Sequence, residues 1–250
     1  MPSLRARLFL TILRNRHLLR GRLKPDTGEH WRTDLGRVRA EAARGSRMLG
    51  KLPEGVAEHP ADAPVPALWL VPDDALPGKA LLYFRGGGYV LGSLQGHRNI
   101  AAKFAKGAGL ATLLFDYRLA PEHPHPAALE DALAAWRWLR GEGYAPGDIV
   151  LCGDSAGGGL LLALLLALKD AGEPLAAGAA ALSPWTDVAC TGASLTTNAG
   201  RCLAPRLSWL ACREHYAQGN DPTHPLISPL YGELAGLPPR SEERRVGKEC

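Results

Sequence analysis

Cysteine is scarce in this chain of 250 residues, and the few cysteines follow no metal or disulfide motif. They include no C-x-x-C pair and no zinc-ligand spacing, which excludes the usual dithiol and zinc motifs. We therefore expect free thiols in a reducing compartment, and we interpret Cys152, in a predicted strand, as a small buried hydrophobe. The five cysteines are Cys152, Cys190, Cys202, Cys212 and Cys250.

Long apolar runs are also missing. No run reaches the roughly 18 apolar residues that a membrane-spanning helix needs, so stable membrane insertion is not expected. The apolar stretch at residues 8–13 is too short, and too closely followed by arginines, for a secretory signal. A cytoplasmic location is therefore the expectation.

Short apolar segments alternate with longer helical ones along most of the chain. This alternation predicts an α/β fold with a mostly parallel sheet and helices on both faces, and the length suits one such domain. The predicted strands cover residues 65–71, 80–84, 111–117, 149–152 and 176–182, and the predicted helices cover residues 97–108, 126–140 and 156–171.

A G-x-S-x-G pattern, GDSAG at residues 153–157, joins the fourth predicted strand to the third predicted helix. A strand, a sharp turn and a helix are the context of a nucleophile elbow. A serine hydroxyl is a poor nucleophile until it is exposed beside a base, and flanking glycines allow the tight turn that exposes it. The pattern therefore predicts Ser155 as a nucleophile, with Asp154 ordering the elbow.

Three consecutive glycines, Gly86 to Gly88, follow the second predicted strand and are separated from it by Arg85 alone. Backbone N–H groups that no side chain covers suit a loop that approaches a developing oxyanion. We expect the N–H groups of Gly86, Gly87 and Ala156 to form an oxyanion hole. The alternative, a flexible phosphate-binding loop, is disfavoured because the spacing of a P-loop and its lysine are missing.

Several blocks of this sequence together resemble the bacterial hormone-sensitive-lipase family of α/β-hydrolases. The resemblance extends from about Leu23 to Pro239, with the blocks in the family's order and spacing. The blocks are GGG at 86–88, DYRLAPEHP at 116–124, GDSAGG at 153–158, SPW at 183–185, DP at 221–222, ISPL at 227–230 and LPP at 237–239.

The resemblance implies an α/β-hydrolase core at residues 51–239 and a helical N-terminal cap at residues 1–50. It implies a carboxylesterase that hydrolyses short or medium acyl esters through an acyl-serine intermediate, without cofactor or metal. Tyr89 and Trp185 are candidates for the acyl pocket, although an aromatic residue in an apolar stretch is more often plain core.

One departure from the family is Arg85, which stands where the family usually has a histidine that holds the glycine loop. Arginine is longer, always charged and unable to accept a hydrogen bond. We expect the oxyanion hole to persist with altered order.

The larger departure is the segment at residues 240–250, where the family enters its next core strand. This segment contains no apolar run and resembles a translated sequencing adapter, so we expect a non-native tail that cannot be that strand. The family supplies the acid and the histidine of its triad beyond this point. Only His215 and His224 follow Ser155, and neither is expected to be the base.

Charge is unevenly distributed, with thirteen basic and four acidic residues up to Lys51. Leu4, Leu8, Ile12 and Leu19 recur at roughly helical spacing and predict an amphipathic helix. It either attaches to anionic lipid or to a partner, or folds over the catalytic face with its arginines solvated. The second interpretation is favoured, and no nucleic-acid partner is expected because no recognition motif accompanies the charge.

A final expectation concerns the block around residue 120, where Arg118, Glu122 and Asp131 are predicted to form an ion-pair set. Three interpretations of the whole chain stay open. It derives from an esterase and is itself inactive through loss of the triad partners, it is a non-catalytic ligand-binding member of the same fold, or it is an unstable fragment with an unpaired sheet edge.

Overall fold

The strands of the computed structural model are β1 (Val56–Ala61), β2 (Ala67–Pro72), β3 (Ala80–Phe84), β4 (Ala111–Phe115), β5 (Ile149–Asp154), β6 (Gly178–Leu182) and β7 (Arg240–Glu243). The structure describes Leu4, Arg7, Leu8 and Thr11 together with residues 30–47, 51–197, 204 and 206–243. Its strands form one sheet in the order β1-β2-β4-β3-β5-β6-β7. The pairs β1–β2 and β2–β4 are antiparallel, and all other neighbours are parallel.

The helices lie on both faces of this sheet. Alternate residues of a strand face opposite sides, so Leu82 and Phe84 of β3 join one apolar core while Leu81 and Tyr83 join the other. None of the helices in the described residues is long and apolar enough to cross a membrane. The helices are α1 (His30–Thr33), α2 (Leu35–Arg47), α3 (Leu94–Ala108), α4 (Ala127–Gly141), α5 (Ala156–Asp170), α6 (Ser194–Thr197) and α7 (Arg206–Ala217).

Helix α5 packs apolar side chains against the centre of the sheet. Its sequence is apolar all round, and twelve of its residues are buried between β5, β6 and α4. A helix of this kind belongs in a core rather than on a surface. It therefore fixes the end of β5, where the G-x-S-x-G pattern lies.

The predicted α/β fold with a mostly parallel sheet is confirmed. Strand β3 has the predicted bounds, whereas β2, β4, β5 and β6 differ from the predictions by two residues or fewer at each end. Strand β1 was not predicted, because its sequence VAEHPA is polar and lies at the edge of the sheet, where half of its residues are exposed.

The prediction that residues 240–250 cannot form the next strand is wrong for Arg240–Glu243. These residues form β7, which pairs in parallel with residues 179–182 of β6, and Ala179 N–H donates to Pro239 O at 3.1 Å. An edge strand is held by backbone hydrogen bonds, which any non-proline residue provides, so an apolar run is not required. Residues 244–250 lie outside the described residues.

Two helices of the N-terminal arm, which comprises residues 1–50, pack on the rest of the protein. Helix α1 lies against α7 and α2 lies against α3. Arg32 forms an ion pair with Glu214, and His215 Nε2 lies 3.1 Å from Trp31 O. Leu4 and Leu8 are helical and exposed, whereas Ile12 and Leu19 of the predicted amphipathic helix lie outside the described residues.

Candidate active site

Ser155 occupies the turn between β5 and α5 with φ 54° and ψ −120°. A non-glycine residue at positive φ is strained and persists only when its surroundings fix it. Here the backbone on both sides is bonded: Ser155 N–H donates to Leu182 O at 3.0 Å, and Ser155 O accepts from Trp185 N–H at 2.8 Å. The serine therefore sits at the carboxyl end of a central strand in the conformation of a nucleophile elbow.

Close packing of backbone against backbone holds this elbow beside the glycine loop. A Cβ at Gly157 would lie 2.0 Å from Phe84 O and 2.6 Å from Arg85 O, so no side chain fits there. Gly153 is equally crowded, because a Cβ would lie 2.8 Å from the backbone of Gly157. The glycines at both flanks of the pattern thus bring the start of the loop against the serine turn.

The glycine loop closes on itself. Gly87 and Gly88 have φ values of 126° and 62°, which favour glycine, and Gly87 O accepts hydrogen bonds from Val90 N–H at 3.1 Å and Leu91 N–H at 2.8 Å. Tyr89 O accepts from Ala120 N–H at 3.0 Å. The carbonyl groups of the loop are thereby directed into the protein.

The prediction that the N–H of Gly86 belongs to the oxyanion hole is contradicted by its hydrogen bond. Gly86 N–H donates to Asp154 Oδ1 at 3.1 Å, so this donor is already occupied. The N–H groups of Gly87, Gly88 and Ala156 donate to no acceptor in the described part of the chain. Gly88, which the sequence analysis did not assign, therefore offers the free donor that Gly86 does not.

Asp154 links the elbow to the loop. The same oxygen that accepts from Gly86 also accepts from Tyr83 Oη at 2.9 Å. Burial, and after it the charge of Asp154, raises the pKa of Tyr83 far above its ordinary value, so the phenol stays a donor. The role expected for Asp154, ordering the elbow, is thus extended to the first glycine of the loop.

Arg85 is fully buried directly before the three glycines. Its Nε donates to Asp116 Oδ1 at 2.5 Å, while Nη1 and Nη2 donate to Leu91 O and Tyr117 O at 2.8 Å each. The guanidinium lies 3.9 Å above the centre of the Tyr117 ring. Asp116 is the first residue of the DYRLAPEHP block, but no sequence signal predicts this role for it.

The predicted ion-pair set around residue 120 is partly wrong. Arg118 pairs with Asp131 at 2.9 Å and with Glu130, not with Glu122. Glu122 instead receives two hydrogen bonds from Arg39 of α2, at 2.7 and 2.8 Å. These bonds lower the pKa of Glu122 to about 2. The partner lies 83 residues away, so no local pattern could identify it.

Arg39 also reaches the glycine loop itself. Its Nε donates to Val90 O at 2.9 Å, and its Nη2 donates to Ala120 O at 2.8 Å. The N-terminal arm is therefore bonded to the loop beside the serine turn. Sequence reasoning missed this residue, because it is one of many arginines in a basic segment.

The two aromatic candidates for an acyl pocket lie in the core. Tyr89 is 1% exposed and stacks on Tyr216 with ring centres 3.7 Å apart, and Trp185 is 8% exposed with its ring centre 6.0 Å from that of Tyr89. Trp185 Nε1 donates to Asp187 O at 2.9 Å. Both residues thus belong to a buried aromatic cluster, which was the alternative interpretation.

The Ser155 hydroxyl makes no hydrogen bond with any group of the described residues. His215 is engaged with Trp31 O, and His224 Nδ1 accepts from Leu226 N–H at 3.2 Å. His224 also lies near His125, with ring centres 6.3 Å apart. Neither histidine after the serine is brought to it.

Comparison with known proteins places this geometry in a family. A model described as the alpha/beta hydrolase fold matches residues 81–241, which include the glycine loop and the serine turn. An acetyl-hydrolase of Streptomyces hygroscopicus is 51% identical over 163 residues, covering 65% of this chain and 54% of that protein. A carboxylesterase of Mycobacterium tuberculosis is 36% identical over 191 residues, covering 71% and 58%. The chain therefore spans just over half the length of these curated relatives.

Solved structures agree with this assignment. A crystal structure of the esterase EstE5, soaked with p-nitrophenyl butyrate, is 36% identical with a TM-score of 0.83, covering 96% of this chain and 78% of that one. An esterase of the bacterial hormone-sensitive lipase family is 38% identical with a TM-score of 0.78, covering 97% and 78%. The chain belongs to the bacterial hormone-sensitive-lipase family of α/β-hydrolases.

Proposed function

We propose that the parent of this chain is a carboxylic ester hydrolase with Ser155 as its nucleophile. The observation that carries the proposal is the strained serine at the end of β5, packed against a glycine loop in which the N–H groups of Gly87 and Gly88 have no acceptor among the described residues. Its relatives are named as esterases and acetyl-hydrolases, which supports the same reaction class here. The expected substrates are esters of short or medium acyl chains.

The reaction would proceed in two halves. Ser155 Oγ attacks the ester carbonyl carbon while a base takes the hydroxyl proton, and the tetrahedral intermediate places negative charge on the former carbonyl oxygen. The N–H groups of Gly87, Gly88 and Ala156 would hold that oxygen. The alcohol then leaves with a proton, and water releases the acid from the acyl-serine by the same steps.

The base and its orienting acid are proposed to be missing from this chain. Support comes from the absence of a hydrogen bond to Ser155 Oγ within the described residues and from the positions of His215 and His224. A triad without its histidine retains only the contribution of the hole and of binding, roughly 10³ to 10⁴ over water. The 250-residue chain alone should therefore turn over very slowly.

Hydrolysis of p-nitrophenyl butyrate tests this proposal in two proteins. The purified chain should show only slow hydrolysis, whereas the parent with its full coding sequence should show rapid hydrolysis that Ser155→Ala abolishes. Rapid hydrolysis by the chain alone would contradict the missing base. A full-length parent that binds esters without hydrolysing them would favour the non-catalytic alternative.

A further inference from the structure

We propose that Arg85 is a positioning residue for the oxyanion loop, and that it works as one unit with Asp116. The proposal rests on the oxyanion role of Gly87 and Gly88 stated above. It goes further by naming the side chain that sets the direction of their N–H groups. The family usually has a histidine at this position, and the proposal concerns the arginine that stands there in this chain.

The Arg85 side chain reaches across two segments of the chain. The three acceptors of Arg85 lie in two different segments: Leu91 ends the glycine loop, while Asp116 and Tyr117 follow β4. Arg85 itself begins the loop. One guanidinium therefore ties the start of the loop to its end and to the neighbouring segment.

A chain of hydrogen bonds links Arg85 to the direction of the Gly88 N–H. Arg85 fixes Leu91 through its carbonyl, and Leu91 N–H donates to Gly87 O at 2.8 Å. In a planar trans peptide the C=O and the N–H point in opposite directions. Because Gly87 O is directed to Leu91, the N–H of Gly88 in the same peptide points to the opposite side. Its direction thus depends on the bond that Arg85 makes.

The guanidinium of Arg85 is held in place by the groups around it. It is fully buried, its central carbon lies 3.9 Å from the centre of the Tyr117 ring, and Tyr117 Oη donates to Arg85 O at 3.0 Å. Burial raises the pKa of Tyr117 to about 12, so its hydroxyl remains a donor. A buried cation without a partner is costly, and Asp116 supplies the opposite charge.

Geometry rather than charge alone is required. A guanidinium presents its donors in a rigid planar fork, whereas an ammonium is a compact point charge on a flexible stem. Lysine at position 85 could not reach Leu91 O, Tyr117 O and Asp116 together. Histidine is shorter and has two ring nitrogens, so it could hold part of this set.

Arg85→Met, Arg85→Lys and Arg85→His test the proposal in the 250-residue chain. Arg137→Met is the matched control, since Arg137 forms an ion pair with Glu173 on the surface and is 55% exposed. Circular dichroism first establishes the temperature range in which each variant is folded. Residue-resolved hydrogen exchange in that range then follows the amides of Val90 and Leu91, both bonded to Gly87 O.

A second readout reports the hole directly. Phenylboronic acid is titrated against each variant and followed by ¹¹B NMR, with Ser155→Ala as the reference for binding that does not use the serine. In the adduct, Ser155 Oγ donates a lone pair to boron, its proton passes to buffer, and boron becomes tetrahedral and anionic. The adduct thus resembles the intermediate whose oxygen the loop would hold.

We expect Arg85→Met and Arg85→Lys to exchange Val90 and Leu91 about tenfold faster and to bind the boronate about tenfold more weakly. Both values for Arg85→His should lie between those of these two variants and those of the unsubstituted 250-residue chain. Arg137→Met should match the unsubstituted chain. A folded Arg85→Met that matches Arg137→Met in both readouts overturns the proposal. An Arg85→Lys that matches the unsubstituted 250-residue chain shows that the planar guanidinium is not required.

Two further outcomes keep the proposals apart. If the boronate binds the unsubstituted 250-residue chain and Ser155→Ala equally, the assignment of Ser155 as the nucleophile is wrong. Hydrogen exchange still decides whether Arg85 fixes the loop. If Arg85→Met does not fold, Asp116→Asn, which retains the guanidinium, takes its place. Faster exchange of Val90 and Leu91 in that variant supports the paired device, and unchanged exchange overturns it.

Discussion

The serine turn and the glycine loop lie side by side, but different interactions fix them. The turn is held by backbone contacts so close that a Cβ at Gly157 would lie 2.0 Å from Phe84 O. The loop is held by charged side chains, above all by the buried Arg85 and by Arg39 from the N-terminal arm. The packing contact requires that one residue lack a side chain, whereas each charge contact requires an arginine and a matching acceptor. The two regions should therefore respond differently to substitution and to pH.

The largest effect is expected on the packed side. Gly157→Ala should lower the free energy of unfolding by about 3 kcal/mol or more, because the new methyl group meets backbone that cannot move aside. Gly107→Ala in α3 is the control, since nothing lies within 4 Å of its Cβ, and it should stabilise by about 0.5 to 1 kcal/mol. Urea unfolding measures both. Equal stability of the two variants would contradict the packing argument.

A smaller effect is expected when the charged side loses its anion. Asp116→Asn leaves the fully buried Arg85 without its partner. Breaking a buried pair costs about 3 to 5 kcal/mol, and because Asp116 is 30% exposed we expect about 2 kcal/mol. Asp148→Asn, which removes the partner of the exposed Lys79, should cost less than about 1 kcal/mol. If both variants lose the same small amount in urea unfolding, the loop is not held by buried charge.

The contact between the arm and the loop should contribute less again. Arg39→Met removes hydrogen bonds to Val90 O, Ala120 O and Glu122, and should destabilise by about 1.5 kcal/mol. Arg37→Met in the same helix changes the exposed pair with Glu41 and should stay within about 0.5 kcal/mol. Thermal unfolding compares the two. A larger loss at Arg37 would show that the helix, not its contact with the loop, is being weakened.

The smallest expected effect is a pH dependence from the half-buried His125. Burial, and after it the charge of His224, lowers the pKa of His125 from 6.5 to about 4. Between these two pH values His125 binds a proton in the unfolded chain but stays neutral in the folded chain. The free energy of unfolding should therefore fall as pH decreases from about 6.5 to about 4. His125→Gln should flatten this slope, whereas substitution of the exposed His59 should not.

The bond between Glu122 and Arg39 should be lost in a lower pH range than the one assigned to His125. The bond to Arg39 lowers the pKa of Glu122 to about 2, so the stability that this bond provides should be lost only as pH falls from 4.5 toward 2. Chemical unfolding across the whole range distinguishes the two groups. A single transition that His125→Gln leaves unchanged would contradict the assignment to His125.

The features that sequence could predict are those with a local cause. The bounds of β3 follow from a short apolar run that both faces of the sheet bury, and the elbow at Ser155 follows from glycine spacing between a strand and a helix. Strand β7 was excluded wrongly because side-chain polarity does not report backbone pairing at a sheet edge.

The features that sequence could not predict depend on long-range geometry. The N–H of Gly86 is occupied by Asp154, 68 residues away, and Glu122 pairs with Arg39 rather than with Arg118. Gly86, Asp154 and Glu122 each lie in one of the sequence blocks that resemble the family, whereas no pattern singles out Arg39. The partner, however, is selected among several candidates of like charge by distances that only the folded chain defines.

The hydrogen bond between Asp154 and Gly86 has a consequence for how the site responds to what binds it. Asp154 is the residue immediately before the serine, and Gly86 is the first residue of the glycine loop, so a ligand that displaces the serine turn also displaces the loop. The amide of Gly86 could then serve as a spectroscopic reporter. Its chemical shift should register occupation of Ser155 without any label on the ligand.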